Sequence, residues 1–270
     1  MKPIAVVRGA GDLATAVGRR LHLCGFSVVH LEIAQPSVIR RTVAFATAVF
    51  QERITVEGVE AVFAPDVAAA RALLAQGRVA VLVDPGAASI PSLQPVVVVD
   101  AILAKRNLGT RLDMAPCVVA LGPGFEAGVD AHAVVETCRG HDLGRVYTSG
   151  RARPDTGIPG TIQGIGAERV LRAPAAGIFQ PAKEIGAMVQ PHDLVAEVGA
   201  MPIRSAIGGV LRGILHAGLP VFRGQKVADV DPRGDRSLCF TTSDKANAVA
   251  GGVLEAVFRE SAARSLATME

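Results

Sequence analysis

The sequence predicts an α/β protein: a domain with a mostly parallel sheet, a small all-β domain, and a C-terminal helix that returns to the first domain. In the first half, short and continuously apolar runs alternate with helical patterns, which is typical of strands buried on both faces of a parallel sheet. The second half contains an internal repeat of short strands with glycine turns. An apolar stripe with helical spacing near the end of the sequence predicts the last helix.

A glycine motif lies between the first predicted strand and the first helix. The apolar residues 4–7 are followed by Gly9, Gly11 and Ala14, and the strand after the helix ends at Glu32. This order of strand, glycine turn, helix, strand and acid predicts a Rossmann-like, dinucleotide-binding unit. Gly9 allows the tight turn, Gly11 allows a phosphate to approach the backbone, and Ala14 allows the helix to pack closely on the strand.

The charged residues of this motif favour a nucleotide and also suggest alternatives. The helix N-terminus offers N–H groups to an anion, and Glu32 is placed to accept hydrogen bonds from a ribose 2′-hydroxyl. Asp12 would repel a pyrophosphate. It either stabilises the helix N-terminus or helps to hold a metal or a different ligand. A plain βαβ unit with a short glycine turn is the structural alternative.

Local signals place further elements along the first half. Residues 48–63 alternate and predict a hairpin that turns at Glu57 and Gly58, and Asp66 begins a helix that Gly77 ends. Three more apolar runs predict buried strands at residues 79–83, 96–99 and 117–121. Acids and glycines follow these runs, at the edge where open α/β sheets bind ligands.

The second half repeats itself. Residues 172–198 and 204–230 align without gaps at an offset of 32. The repeat predicts two interlocking halves of a barrel-sandwich fold and resembles biotinyl/lipoyl carrier domains, which attach their cofactor to a lysine in the hairpin between the halves. Residues 198–202 occupy that hairpin and include no lysine, so we do not expect a carrier function. The predicted domains are residues 1–165, 168–232 and 236–266.

Composition narrows the classes of function. Half of the 270 residues are hydrophobic, the formal net charge is +3, and the four cysteines form no C-x-x-C pair. We therefore expect a cytoplasmic protein with reduced thiols. No nucleic-acid-binding signature, signal peptide or membrane-length apolar run is apparent, so neither a nucleic acid nor a membrane is expected as a partner.

Basic residues gather at the ends of predicted strands: Arg8, Arg40, Arg41, Lys105, Arg106 and Arg111. Guanidinium groups bind phosphates bidentately, so the set predicts an anionic ligand, with solvated surface charge as the alternative. We predict that Arg40, Arg41, Lys105 and Arg106 converge on one cleft beside the glycines. A bound anion, or nearby acids such as Asp84, would offset their mutual repulsion.

A second group of candidate residues follows at 129–141. If this segment is a strand, His132 and Glu136 share one face and form an acid–base pair or bind a metal. Their spacing matches no zinc motif, and structural hydrogen bonding is the alternative. We name His132, Glu136 and Lys105 as candidate catalytic residues and name no metal ligand.

Several blocks of sequence resemble a known family. They are residues 8–15 (RGAGDLAT), 32–41 (E-x-x-QP-x-x-x-RR), 100–110 (DAILAKRNLGT), 121–125 (LGPGF), 132–137 (HAVVET), 139–141 (RGH) and 243–246 (SDKA). Through them the chain resembles the YqeB family, found with selenium-dependent molybdenum hydroxylases. It is more distantly similar to XdhC/CoxF-type xanthine dehydrogenase accessory proteins. The candidate cofactor-binding residues are Arg8, Gly9, Gly11, Asp12, Ala14, Thr15, Glu32, Arg40, Arg41, Asp100, Arg106, Asn107, Gly122 and Gly124.

The resemblance implies an accessory protein that helps to mature a molybdenum–selenium centre, through modification or insertion of the cofactor. Its ligand would be a nucleotide such as NAD or a molybdopterin-type cofactor. Its partners would be an apo-hydroxylase, other maturation proteins or a second copy of the chain. Two alternatives remain open: an NAD-dependent oxidoreductase with His132 or Lys105 as the proton donor, and a non-catalytic interaction module.

Overall fold

The computed structural model of the chain describes residues 2–158 and 160–267, the last four of these by their backbone alone. The chain divides into two compact units. The first unit takes its described residues from 1–34, 45–155 and 242–270, and the second from 35–44 and 156–241.

The first unit contains α-helices and β-strands. Its helices are α1 (Asp12–Leu23), α2 (Ala48–Gln51), α3 (Val67–Ala75), α4 (Ile90–Leu93) and α5 (Asp244–Ala267). Its strands are β1 (Ile4–Arg8), β2 (Ser27–Glu32), β3 (Arg53–Val56), β4 (Val59–Ala64), β5 (Val79–Val83), β6 (Val97–Asp100), β7 (Cys117–Leu121), β8 (Glu126–Ala127), β9 (Ala133–Val135), β10 (Val146–Tyr147) and β11 (Gly150–Arg151). Strands β8 and β11 pair with each other.

The other nine strands form one mixed sheet in the order β10-β9-β7-β6-β1-β2-β5-β4-β3. The seven inner strands run parallel, whereas β3 and β10 at the two edges are antiparallel to their neighbours. Strands β1, β6 and β7 are buried along their whole length, which explains their continuously apolar sequences. These strands therefore form the centre of the first unit.

Local sequence signals are confirmed in several elements. The hairpin β3–β4 turns at Glu57 and Gly58, as predicted. Asp66 caps α3 by accepting a hydrogen bond from the Ala69 N–H at 2.8 Å. At the start of α5, the Ser243 hydroxyl accepts one from the Ala246 N–H at 3.2 Å. The apolar stripe of α5 packs against α1 and β7, although Phe258 at its end is 61% exposed.

The second unit contains strands only, apart from short 3₁₀ turns, among its described residues. They are β12 (Val170–Arg172), β13 (Gly177–Pro181), β14 (Met188–Val189), β15 (Leu194–Val198), β16 (Met201–Arg204), β17 (Gly209–Ile214), β18 (Pro220–Val221) and β19 (Lys226–Asp231). They form two four-stranded antiparallel sheets, β12-β19-β17-β14 and β16-β15-β13-β18. Each sheet contains strands from both sequence repeats, because β14 pairs with β17 and β18 pairs with β13.

The predicted pairing of a Rossmann-like domain with a barrel-sandwich domain is wrong. The large sheet is mixed, because an antiparallel strand closes each of its edges, and it is accompanied by separate antiparallel sheets. Within residues 100–133, all of which are described, no α-helix links β6 to β7 or β7 to β9. The helical crossovers expected of a doubly wound sheet are therefore missing from this half. The α/β class itself is what the structure supports.

Candidate ligand-binding site

The carboxyl ends of the parallel strands bring several predicted residues to one edge of the sheet. Arg8 at the end of β1 is in register with Leu31 of β2 on one side and Asp100 of β6 on the other. From β1 the chain first adds strands on one side, beginning with β2. It later crosses to the other side of β1, where it adds β6 and then β7. In open α/β sheets, ligands bind outside the carboxyl ends at such a reversal. The candidate site is therefore the loop that follows β1.

The backbone of Gly9 and Ala10 is held by hydrogen bonds within the protein. The Gly9 N–H donates to the Leu31 carbonyl at 2.6 Å, and the Ala10 N–H donates to Glu32 Oε2 at 2.8 Å. The other carboxylate oxygen of Glu32 accepts from the Ile33 N–H at 2.8 Å. Burial raises the pKa of Glu32, and these two backbone hydrogen bonds oppose the rise. Glu32 thus fixes the loop after β1 through two backbone hydrogen bonds.

His30 supports the loop from the protein interior. Its Nδ1 lies 2.8 Å from the Gly9 carbonyl oxygen, so this nitrogen carries the proton. The ring packs edge-on against Phe45, and its buried Nε2 has no hydrogen-bond partner among the described residues. Burial lowers the pKa of His30 to about 4, although the hydrogen bond to Gly9 opposes this change. The imidazole is therefore neutral near pH 7, as expected for a structural histidine.

Because of His30, the free energy of unfolding is expected to decrease as the pH is lowered. An unfolded histidine titrates near pH 6.5 and the folded one at about 4, so the unfolded chain binds more protons between these values. The contribution of His30 to stability is complete above the pKa of the unfolded histidine. It is lost, by roughly 3 kcal/mol in total, as the pH falls toward the pKa of the folded one. Urea unfolding across this range tests it. Parallel pH profiles for the wild type and His30→Gln would contradict the prediction.

Gly11 faces open space at the N-terminus of α1. A Cβ atom on Gly11 would meet nothing within 4 Å, and its φ of −66° suits any residue. The protein interior therefore does not require glycine here, which leaves room for a ligand to approach the backbone. Asp12 Oδ1 accepts from the Leu13 N–H at 2.9 Å, in keeping with the predicted role of Asp12 at the helix N-terminus.

Ala14 and Thr15 face the protein interior. Ala14 is buried where α1 packs on the sheet. The Thr15 hydroxyl donates to the Ala10 carbonyl at 3.1 Å and accepts from the Phe45 N–H at 2.8 Å. Both residues therefore position the glycine loop.

Arg8 and Asp100 form a buried ion pair below the loop that follows β6. Arg8 Nη1 lies 3.3 Å from Asp100 Oδ2 and also donates to the Thr110 hydroxyl, while Nη2 donates to the Leu108 carbonyl at 3.0 Å. The Thr110 hydroxyl donates to Asp100 Oδ2 at 2.6 Å. The Arg8 side chain is 3% exposed, and in this structure its guanidinium group binds this loop.

Asn107 also fixes the loop that follows β6. Its side-chain oxygen accepts from the Thr110 N–H at 2.7 Å, and its side-chain nitrogen lies 3.0 Å from Asp130 Oδ1. Asp130 in turn accepts from the Glu126 N–H at 2.8 Å. Asn107 therefore joins the loop after β6 to the segment after β7.

Gly122 and Gly124 allow close contact between neighbouring segments. Both have positive φ, of 72° and 104°. A Cβ on Gly122 would lie 2.4 Å from the Thr137 hydroxyl oxygen, and one on Gly124 would lie 2.5 Å from the Arg106 backbone nitrogen. Their glycine character is therefore explained by packing and conformation. The side chains of Lys105 and Arg106 are exposed, and Lys105 Nζ lies 2.5 Å from Asp155 Oδ2.

The structure does not bring His132 and Glu136 together. They flank the three-residue strand β9, so they lie at its opposite ends, about 13 Å apart along the chain. Glu136 is fully buried and accepts three backbone hydrogen bonds, from Thr137 at 2.8 Å, Cys138 at 2.7 Å and Arg153 at 2.8 Å. His132 Nδ1 accepts from the Val118 N–H at 3.0 Å. Both side chains thus hold backbone in this structure.

Lys245 is a candidate that the sequence analysis did not select. It lies in the first turn of α5, next to Asp244, which forms a two-point ion pair with Arg139 at 2.8 and 3.2 Å. Burial, followed by the charge of Arg139, lowers the pKa of Lys245, whereas the charges of Asp12 and Glu136 oppose this. These charge effects and the packing of α5 on α1 place the Lys245 charge in the neighbourhood of the first turn of α1. The available signal was the block SDKA at residues 243–246, which entered above only as part of the resemblance to the YqeB family.

Arg40 and Arg41 belong to the second unit. Arg40 is buried and donates to the carbonyls of Leu238 and Thr241, both at 3.0 Å. Arg41 donates to the Ile214 carbonyl at 2.8 Å and pairs with Glu184 at 3.3 Å. Each guanidinium therefore binds within its own unit, and the predicted convergence with Lys105 and Arg106 stays a prediction.

Two further properties concern metals and membranes. Among residues 2–158 and 160–267, no group of three or more His, Cys, Asp and Glu side chains is arranged to hold a metal ion. In the same part of the chain, no helix combines the length and apolarity needed to cross a membrane.

The fold and site define an α/β protein with a preorganised glycine loop at the carboxyl edge of a mixed sheet. No protein-family model matches the chain. Over 254 residues, or 94% of the chain, it is 51% identical to the uncharacterized protein YqeB of Escherichia coli K12, which supports the resemblance to the YqeB family. The chain spans 47% of the length of that relative.

Two solved structures align with the chain at low similarity. An aspartoacylase family protein from Mesorhizobium loti aligns over 85% of both chains with 11% identity and a TM-score of 0.27. The ectoine utilization protein EutE from Ruegeria pomeroyi, in its product-bound form, aligns over 85% of both chains with 15% identity and a TM-score of 0.25. These values are too low to support an argument about fold or activity.

Proposed function

We propose that this protein binds a phosphate-bearing cofactor at the loop after β1 and serves in the maturation of a molybdenum hydroxylase. The observation that carries the binding proposal is the loop itself. The backbone N–H and C=O groups of Gly9 and Ala10 point inward to fixed partners, while the Cβ position of Gly11 faces open space. A loop held in this way needs no rearrangement when a ligand binds.

Charge supports an anionic group at this place. The N-terminus of α1 carries the positive end of the helix dipole, which favours a phosphate group beside Gly11. Lys245 of α5, which packs on α1, adds an ammonium group, and the charge of Asp12 opposes the lowering of its pKa. A nucleotide or a molybdopterin-type cofactor supplies the complementary phosphate.

The maturation role rests on the resemblance to the YqeB family, and selenium dependence of the hydroxylase belongs to the same proposal. The partners would be the apo-hydroxylase or other maturation proteins. An oxidoreductase with His132 as proton donor is less favoured, because His132 lies at the opposite end of β9 from Glu136, the residue predicted to act with it.

Replacing Gly11 with valine is expected to weaken binding strongly without unfolding the protein. The added side chain occupies the space that a phosphate would need, whereas the backbone angles and free volume tolerate it. We would measure the affinity for NAD, CTP and inorganic pyrophosphate by calorimetry, with circular dichroism as the folding control. A loss of at least about tenfold is expected, which corresponds to about 1.4 kcal/mol.

Gly86→Val provides a matched control. Gly86 also faces open space without a positive φ, but it follows β5, two strands away from β1. This variant is expected to bind like the wild type. Equal affinity of Gly11→Val and the wild type for every probe would contradict the binding site. In the native host, unchanged hydroxylase activity with a binding-deficient Gly11→Val would contradict the maturation role.

A further inference from the structure

A cleft lies at the amino edge of the large sheet, opposite to the glycine loop. It has a volume of about 550 Å³, within the usual range for small-molecule sites. Its lining includes Ile4 and Ser27, which begin β1 and β2, and Arg78, which precedes β5. Because β1, β2 and β5 run parallel, their amino ends lie on the side of the sheet away from Gly9. The cleft is therefore distinct from the candidate site described above.

The cleft is lined by cationic groups and by apolar surface. Lys2, Arg71 and Arg78 contribute the cationic groups, and no carboxylate is among the described residues that line the cleft. Two of these have protein partners: Arg71 donates to the Ser92 carbonyl at 2.7 Å, and Arg78 pairs with Glu60 at 3.1 Å. These contacts fix the two guanidinium groups, and each retains further N–H donors.

His22 adds a polar atom without a partner. Its Nδ1 is buried and makes no hydrogen bond with the described residues. Burial, followed by the charge of Lys2, lowers the pKa of His22. A buried polar atom without a partner is costly, and a ligand oxygen or hydroxyl in the cleft would relieve that cost. Phe26 and Leu74 supply apolar contacts nearby.

We propose that this cleft binds a small organic anion, in which a phosphate or carboxylate head is attached to an apolar body. The head would lie among Lys2, His22 and Arg71, and the body would pack on Phe26 and Leu74. This site is additional to the cofactor site and does not depend on it.

The test uses four probes in NMR titrations of the full chain: phenyl phosphate, phenylacetate, inorganic phosphate and phenol. The His22 ring signal, assigned with His22→Gln, reports on the cleft. We expect saturable binding of at least one aromatic anion, tighter than that of inorganic phosphate or phenol, together with a rise in the pKa of His22. The preferred aromatic anion identifies the head group.

Two double variants separate the cleft from general charge effects. Lys2→Gln with Arg71→Gln should weaken binding of the preferred anion at least about tenfold, because both head-group cations are lost. Arg204→Gln with Arg259→Gln removes the same charge from exposed positions outside the cleft and should leave binding unchanged. Gly11→Val should also bind normally. The proposal is overturned if no probe saturates by about 10 mM. Equally tight binding of phenol, or undiminished binding by the cleft variant, would also overturn it.

Discussion

Replacing Gly18 with alanine is expected to destabilise the first unit by about 3 kcal/mol or more, although alanine is the better helix former. A Cβ on Gly18 would lie 2.0 Å from His30 Nε2 and 2.7 Å from its Cε1. The ring cannot move easily, because it is fully buried, packs on Phe45 and holds the Gly9 carbonyl. Urea denaturation of the wild type and the variant measures the loss in free energy of unfolding.

A double-mutant cycle identifies the cause. In a His30→Ala background the clash is absent, so Gly18→Ala should cost much less and leave a large coupling energy. Gly251→Ala is the matched control in α5: its Cβ would lie 3.6 Å from Arg20 Nη1, an ordinary contact, so a gain of roughly 0.5–1 kcal/mol is expected. Additive effects of Gly18→Ala and His30→Ala would refute this explanation.

Replacing Asp231 with asparagine is expected to destabilise the second unit by about 3–5 kcal/mol. The carboxylate is fully buried and accepts from Arg212 Nη1 at 2.9 Å and from Arg233 at 2.6 and 2.9 Å. The variant leaves the buried Arg212 without this counter-charge. Hydrogen exchange of the β17 and β19 amides, combined with urea unfolding, follows the loss in this unit.

Asp231 is also expected to contribute to the loss of stability at acidic pH. Burial alone would raise the pKa of Asp231, but hydrogen bonds from Arg233 and Arg212 outweigh it and lower the pKa below the usual range. The stabilisation is therefore present above the unfolded pKa of about 3.9 and is lost as the pH falls below it. Asp231→Asn should show a flatter acid limb. The control Glu197→Gln, at an exposed position of β15, should change stability by less than about 0.5 kcal/mol.

Sequence patterns predicted individual elements well where the signal is local. The strands β5 and β7, the β3–β4 hairpin with its turn at Glu57 and Gly58, and the cap of α3 at Asp66 all follow from short-range periodicity or turn chemistry. The fold built from them was wrong, because the pattern of an apolar strand does not specify its neighbours. Periodicity cannot distinguish the antiparallel edge strand β10 from a parallel one.

The candidate site shows the same division. Gly9, Gly11 and Glu32 were found from their spacing, since the motif depends on one strand, one turn and one helix. Arg8 was expected to face a ligand, but its partner Asp100 is 92 residues away, and the ion pair depends on β1 lying beside β6. Lys245 was missed because it comes to this site from the far end of the chain, where α5 packs on α1.

The sequence by itself therefore determined the local elements, the glycine loop and the internal repeat, because each depends on residues close in the chain. The tertiary structure alone decided the mixed order of the sheet and how the repeats divide between two sheets. It also decided which charged groups are buried in pairs and which surround open space. The reason is physical: strand pairing and burial bring together distant residues, and their energies depend on partners that local sequence does not specify.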